Sequence, residues 1–345
     1  MYQKRANGLR RRKYLAAVLF AGLLLGLSGR SRAEDESSLF WPPPPAEIRV
    51  IFVKSILAPK DIGVKPSLFN KLKSLLVGTE DDNLSRPIAV AVDGEGTIYV
   101  ADPGTPAVHW FDQEAKRYKK ITDMDGRALV SPVGVAVSKN GLIFVSDSIL
   151  RRVFCLDKSG RLKFVIGQDG TLSRPTGLAA DGEKLTVVDT GAHRLFIFDL
   201  EGHLIKAFGE RGNGNGQFNY PTSVALDSEG RIYVVDTLNF RIQVFDKEYQ
   251  YLDSIGQAGD SSGSFSLPKG VAVDSYGRIY STDGLFDNVQ IFSHDQQFLL
   301  SLGESGHRNG EFWIVSGIAI DRENTIYVAD SYNQRVQVFR YVGKD

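Results

Sequence analysis

One aspartate, closing the same short apolar segment, recurs six times in this chain: Asp102, Asp147, Asp189, Asp236, Asp283 and Asp330. The intervals are 45, 42, 47, 47 and 47 residues. A period of that length marks one supersecondary unit stacked repeatedly against its neighbours. The clearest copy spans residues 221–246, PTSVALDSEGRIYVVDTLNFRIQVFD, and matching segments occupy 87–112, 132–157, 175–199, 268–293 and 315–340. Within each copy, runs such as Val-Ala-Val, Ile-Tyr-Val and Val-Gln-Val-Phe are rich in β-branched and aromatic residues, separated by turn residues, and read as strands. Gly96, Gly141, Gly230, Gly277 and Asn324 stand between the first and second strands, where a tight hairpin requires positive φ. A further apolar run near 117–122, 161–166, 203–208, 251–255 and 298–302 supplies a fourth strand to five of the six units.

The sixth copy reaches the C-terminus without a fourth strand, whereas residues 48–56, IRVIFVKSI, form a strand-like run ahead of the first copy. We therefore expect this orphan to complete the last unit, because an open ring would expose unpaired strand edges. The fold class is all-β: a six-bladed propeller of four-stranded antiparallel blades, sealed by an N-terminal strand.

These units resemble the NHL-repeat family, specifically its six-bladed propellers in secreted bacterial proteins. The resemblance rests on FGERGNGNGQF at 208–218, the spacing Asp236…Asn239…Arg241, and Ile242-Gln243-Val244-Phe245. It covers about residues 84–340, with departures at Ala107, Asn288 and Val315. It implies either a partner-binding scaffold or a metal-dependent enzyme of the lyase or lactonase kind, the latter with calcium in the central channel.

Other segments frame this core. Residues 1–33 carry eight basic side chains, no acidic one, an apolar run of about 14 residues and the small-residue site Ser31-Arg32-Ala33. This is the order of an export signal, placing the mature chain in the periplasm or outside the cell. Membrane contact is expected at most through that segment if it stays uncleaved. Residues 34–47 hold four consecutive prolines and are expected as an extended polyproline II lead-in. Residues 57–83 form an insertion in which Leu68, Phe69, Leu72, Leu75 and Leu76 recur at helical spacing, predicting a short helix over 67–77. The propeller itself is assigned to 84–342.

Charge and cysteine usage exclude several classes. Without the first 33 residues, 33 basic side chains face 41 acidic ones, a net charge of −8. That balance speaks against binding a nucleic-acid backbone. The single Cys155 rules out a disulfide framework, a zinc-binding RING and covalent haem attachment. It alternates with apolar neighbours and reads as a small buried hydrophobe. The five histidines (His109, His193, His203, His294, His307) occupy non-equivalent repeat positions, so no catalytic residue, metal ligand or cofactor is assigned. The recurrent aspartates precede Arg152, Arg194, Arg241 and Arg335 by five residues, which predicts ion pairs. Asp123-Met124-Asp125-Gly126 lacks the later ligands of a calcium loop and reads as a turn. The glycines of 212–216 lack the strand-to-helix setting of a phosphate cradle.

Second-to-third-strand loops and interblade crossovers share one face of a propeller, and here they are unusually apolar. Ile149-Leu150, Leu238, Phe240, Leu285-Phe286 and Tyr332 occupy turns, and Trp313 stands where blade 4 has Asn219. With Arg151 and His193 as polar neighbours, they form the candidate partner-binding set for a protein or peptide of the cell envelope.

Overall fold

The computed structural model describes residues 39–65 and 82–343; the expected export signal and the helix over 67–77 lie outside the described residues. The strands form six antiparallel sheets around a common axis, in the four-stranded pattern the repeats predict. Blade 1 comprises Ala89–Val92, Ile98–Asp102, Ala107–Asp112 and Arg117–Ile121. Blades 2 to 5 begin with Pro132–Val137, Pro175–Ala180, Pro221–Leu226 and Pro268–Val273, and each inner strand packs on the next. The inner strand of blade 6, Val315–Ile320, returns to Ala89–Val92 and closes the circle.

The seam is where the orphan strand was expected. Val50–Ile56 pairs antiparallel with Arg335–Tyr341, from Val50 opposite Tyr341 to Ile56 opposite Val336. Val50 and Ile56 are fully buried because alternate positions of that strand face the neighbouring blade. Ser331 Oγ also donates to Pro87 O at 2.6 Å, tying blade 6 to blade 1. Closure leaves the C-terminal strand without an open edge.

The lead-in differs from the expected spacer. Residues 44–45 turn, and Phe40–Trp41 folds back as a fifth strand on Val50 and Ile51. Trp41 and Phe52 each meet Phe339 edge-on at 5.7 Å between ring centres. Packing Trp41 against the last blade offsets the extended preference of the prolines.

Hairpins follow the sequence signals. Gly96, Gly141, Gly230, Gly277 and Asn324 have φ between 59° and 84°, as their turns require. Before each of four of these turns an aspartate accepts the next amides and a second-strand tyrosine hydroxyl; Asp93 with Tyr99 and Asp227 with Tyr233 are examples. Asp123–Met124 pairs with Arg127–Ala128 around Asp125 and Gly126, a small hairpin with no calcium-loop geometry. Cys155 is fully buried and burial pushes its thiol up to about 11, leaving it protonated.

Candidate binding face

The recurrent aspartates organise the loop face from below. All six are fully buried at the end of the second strand. Each accepts one or two amide hydrogens from the crossover that leads into its own blade. Ser85 and Arg86 donate to Asp102 at 2.6 and 2.9 Å, Val130 and Ser131 to Asp147, and Ser173 and Arg174 to Asp189. Asn219 donates to Asp236, Ser266 and Leu267 to Asp283, and Trp313 to Asp330.

The expected ion pair forms in blades 4 and 6, where Arg241 and Arg335 reach Asp236 and Asp330 at 3.0 and 2.7 Å. In blades 2 and 3 it does not. There Arg152 and Arg194 turn to the crossover carbonyls of Gly167 and Gly209. Asp147 already accepts four amide hydrogens and Asp189 three, so both are largely satisfied without a cation. The aspartate is thus a loop clamp first and an ion-pair partner second.

The glycine-rich crossovers are equally structural. Phe218, Phe265 and Phe312 are fully buried, each 5.9 Å from the third-strand Phe245, Phe292 or Phe339 of its blade. Gln243, Gln290 and Gln337 accept the amides of Gly216, Gly263 and Gly310. In blade 1, whose crossover is the inserted segment, His109 stands in place of that glutamine. It is fully buried, its Nδ1 lies 2.8 Å from Tyr118 Oη, and its Nε2 has no hydrogen-bond partner. Desolvation drives its pKa down to about 4, so the imidazole is neutral and its 3.8 Å contact with Asp102 is no ion pair.

On the rim, position in the loop decides which side chains face solvent. The second residue after each aspartate points out: Ile149 is 64% exposed, Leu238 42%, Leu285 66% and Tyr332 47%. The fourth residue has φ of 51–57° in blades 2 to 6, at Arg151, His193, Phe240, Asp287 and Gln334. Arg151 remains exposed, but Phe240 folds onto the core between blades 4 and 5. Leu150 joins the core between blades 1 and 2, and Phe286 is half-buried beside Ser264 and Phe298 in a shallow depression of about 340 Å³.

His193 is buried, against the expectation of an accessible polar neighbour. Its Nδ1 lies 3.2 Å from the amide of Tyr220, whose ring meets the imidazole edge-on at 4.8 Å. This burial removes it from the accessible set; its role is to hold the next blade's crossover.

Trp313 and Tyr332 come together. Their rings are 5.4 Å apart, His307 packs edge-on against Trp313 at 4.8 Å, and the Tyr332 amide donates to Trp313 O. His307 Nδ1 is 2.7 Å from Asn333 Oδ1, fixing the imidazole. Ile314 and Tyr220, each directly before an inner strand, are also exposed. Sequence reading overlooked both; their shared place before Pro221 and Val315 was the available signal. The apolar rim is therefore carried by Ile149, Leu238, Leu285, Trp313, Ile314 and Tyr332.

Fold and loop set define a six-bladed β-propeller presenting an apolar rim. More particularly, the NHL repeat family matches residues 312–339, and the family described as 6-bladed beta-propeller matches 172–271. Protein brain tumor of Drosophila melanogaster is 29% identical over 32% of this chain and 11% of its own length. A probable peptidyl-alpha-hydroxyglycine alpha-amidating lyase of Caenorhabditis elegans is 29% identical over 43% of this chain and 44% of its own length. This chain thus spans less than half of either curated relative. A gluconolactonase from Xanthomonas campestris superposes with a TM-score of 0.58 at 16% identity, covering 88% of this chain and all of that one, which is a likeness of fold.

Proposed function

We propose that this protein is a non-enzymatic, extracytoplasmic binding scaffold that takes a protein or peptide segment on its loop face. The observation that carries the reading is the paired Trp313 and Tyr332, 43% and 47% exposed and 5.4 Å apart, with Leu285 and Ile314 exposed in the same loop layer. Aromatic side chains held rigidly on a scaffold anchor interfaces at low entropic cost. The basic, then apolar, N-terminus supports export to the envelope, where such a partner would be met.

A metal-dependent lyase or lactonase is the second reading, favoured by the likeness to an amidating lyase and a gluconolactonase. Among the described residues, no three His, Cys, Asp or Glu side chains converge as a metal site. The test pairs two measurements on the purified chain. Immobilised protein is incubated with an envelope fraction, and the variant Leu285→Ser/Trp313→Ser/Tyr332→Ser should lose the retained partner while melting normally. An unchanged partner set in that variant overturns the binding reading. Stoichiometric zinc or calcium by elemental analysis, with amidating-lyase or lactonase turnover, supports the enzyme instead.

A further inference from the structure

The crossovers entering blades 4, 5 and 6 share one internal geometry. Arg211 with Phe218, Ala258 with Phe265 and Ser305 with Phe312 form the same parallel bridge in each. In blades 4 and 6 the first residue of the third strand is an arginine that fills the space beside that crossover. Arg241 donates to Gly214 O at 2.7 Å and Gln217 O at 3.2 Å, besides Asp236 at 3.0 Å. Arg335 donates to Arg308 O at 2.6 Å and Glu311 O at 2.9 Å, besides Asp330 at 2.7 Å. Two crossover carbonyls and one carboxylate thus hold each guanidinium.

Blade 5 keeps these acceptors and lacks the arginine. Asn288 stands in its place, and Phe286 replaces the Asn239 and Asn333 of the flanking blades. Ser261 and Ser264 occupy the positions of the two carbonyls. Ser261 O takes the Ser264 amide and Ser264 O takes Gln290 Nε2, as their counterparts do in blade 4. Among the described residues no guanidinium adds a second bond to either. Asp283, opposite Asn288 in the sheet, is fully buried and forms no ion pair among the described residues. Lys269 feels its charge from beyond ion-pair distance.

The space that an arginine would fill is the depression of about 340 Å³ bordered by Phe286, since Ser261, Ser264, Asn288 and Gln290 all line it. Asn288 Oδ1 is buried there without a hydrogen-bond partner, a cost that an incoming donor relieves. Oxygen and nitrogen of that amide are nearly isosteric, so a half-turn presents the oxygen to such a donor. Asp260 and Glu304 add two exposed carboxylates, neither in an ion pair among the described residues, and no Lys, Arg or His lines the depression. Phe286 and Phe298, both half-buried, supply aromatic surface on which a planar cation stacks. Carbonyls, carboxylates and rings together select a flat cation rich in N–H donors.

We propose that this depression is a socket for an arginine side chain of the bound protein or peptide segment. The partner then supplies in trans the guanidinium that Arg241 and Arg335 supply from within the chain. This rests on the binding reading above and adds the chemistry of the segment. Phe286 directly follows Leu285 of the rim, so a segment lying on the rim can seat an arginine here.

The test is fluorescence anisotropy on the full chain with a fluorescein-labelled, leucine-rich peptide carrying one arginine, beside its lysine and citrulline versions. The arginine peptide should bind saturably, about tenfold tighter than either of the others. Asn288→Arg should fill the socket from within, raising the melting midpoint and weakening the arginine peptide about tenfold or more. Asp260→Ser/Glu304→Gln alters exposed side chains alone and should also weaken it, so the proposal is tested even if Asn288→Arg fails to fold. Absent binding, equal binding of the citrulline peptide, or unchanged binding in a normally melting variant of either kind overturns it. So does N-acetylarginine amide competing as well as the peptide, which marks a small-molecule site. In the envelope capture, a partner lost in the rim variant but retained in Asn288→Arg leaves the peptide-binding reading standing and removes the socket. A partner retained in the rim variant but lost in Asn288→Arg does the reverse.

Discussion

Asp287 Oδ1 accepts the amide hydrogen of Ile314 at 2.6 Å, across the junction between blades 5 and 6. Ile314 has φ of 53°, a left-handed conformation costly for a β-branched residue. His193 does the same for Tyr220, also at φ 53°, between blades 3 and 4. Two chemically different acceptors at one repeat position thus hold the crossovers that present the rim.

Asp287→Ala should therefore loosen both stability and the presentation of Trp313. Besides Ile314, Asp287 takes the Ser305 hydroxyl at 2.9 Å, and the residue is buried. Leaving those donors unmet costs about 2–3 kcal/mol. Urea unfolding checks this, with Asp287→Asn expected to recover part of the loss.

The loop clamp makes a sharper claim about Asp283, which has no arginine partner and takes its hydrogens from Ser266, Leu267, Leu285 and Phe286. Asp283→Ala should cost ~3 kcal/mol and lower the melting midpoint by roughly 6–12 °C. A midpoint within experimental error of the parent would show that the amides find other acceptors.

His109 gives stability a pH dependence of known sign. Its pKa falls from 6.5 in the unfolded chain to about 4 in the folded one. Between those values the unfolded state binds a proton that the native state refuses, so acid favours unfolding. The contribution is complete above about pH 6.5 and lost as pH falls toward 4, up to ~3 kcal/mol. His109→Gln, the residue of blades 4 to 6 at that position, should flatten this part of the profile. Guanidinium unfolding of the two proteins from pH 7 to pH 4 makes the comparison.

Removing the chain up to residue 56 should expose the Arg335–Tyr341 edge and strip Phe339 of Trp41 and Phe52. The expected product self-associates, which light scattering detects. A stable monomer would refute the sealing role of the N-terminal strand.

Rim substitutions should behave oppositely. Leu285→Ser and Tyr332→Ser alter exposed side chains, so each should change stability by about 0.5 kcal/mol or less. A large loss in either would mean that the side chain packs between blades.

The period of the aspartates, the strand-like runs and the orphan segment at 48–56 determined a six-bladed ring and its closure, because repeat spacing and β-patterning are local properties that stacking merely repeats. The rim was legible only as a set of apolar loop residues. Ile149 and Leu150 are adjacent and equally apolar, yet one faces solvent and the other the core. Phe240 and His193 likewise turn inward where Arg151 does not. Tertiary structure decided these directions, because left-handed loop residues break the alternation on which a sequence reading depends, and because the space available beside each loop is set by the neighbouring blade.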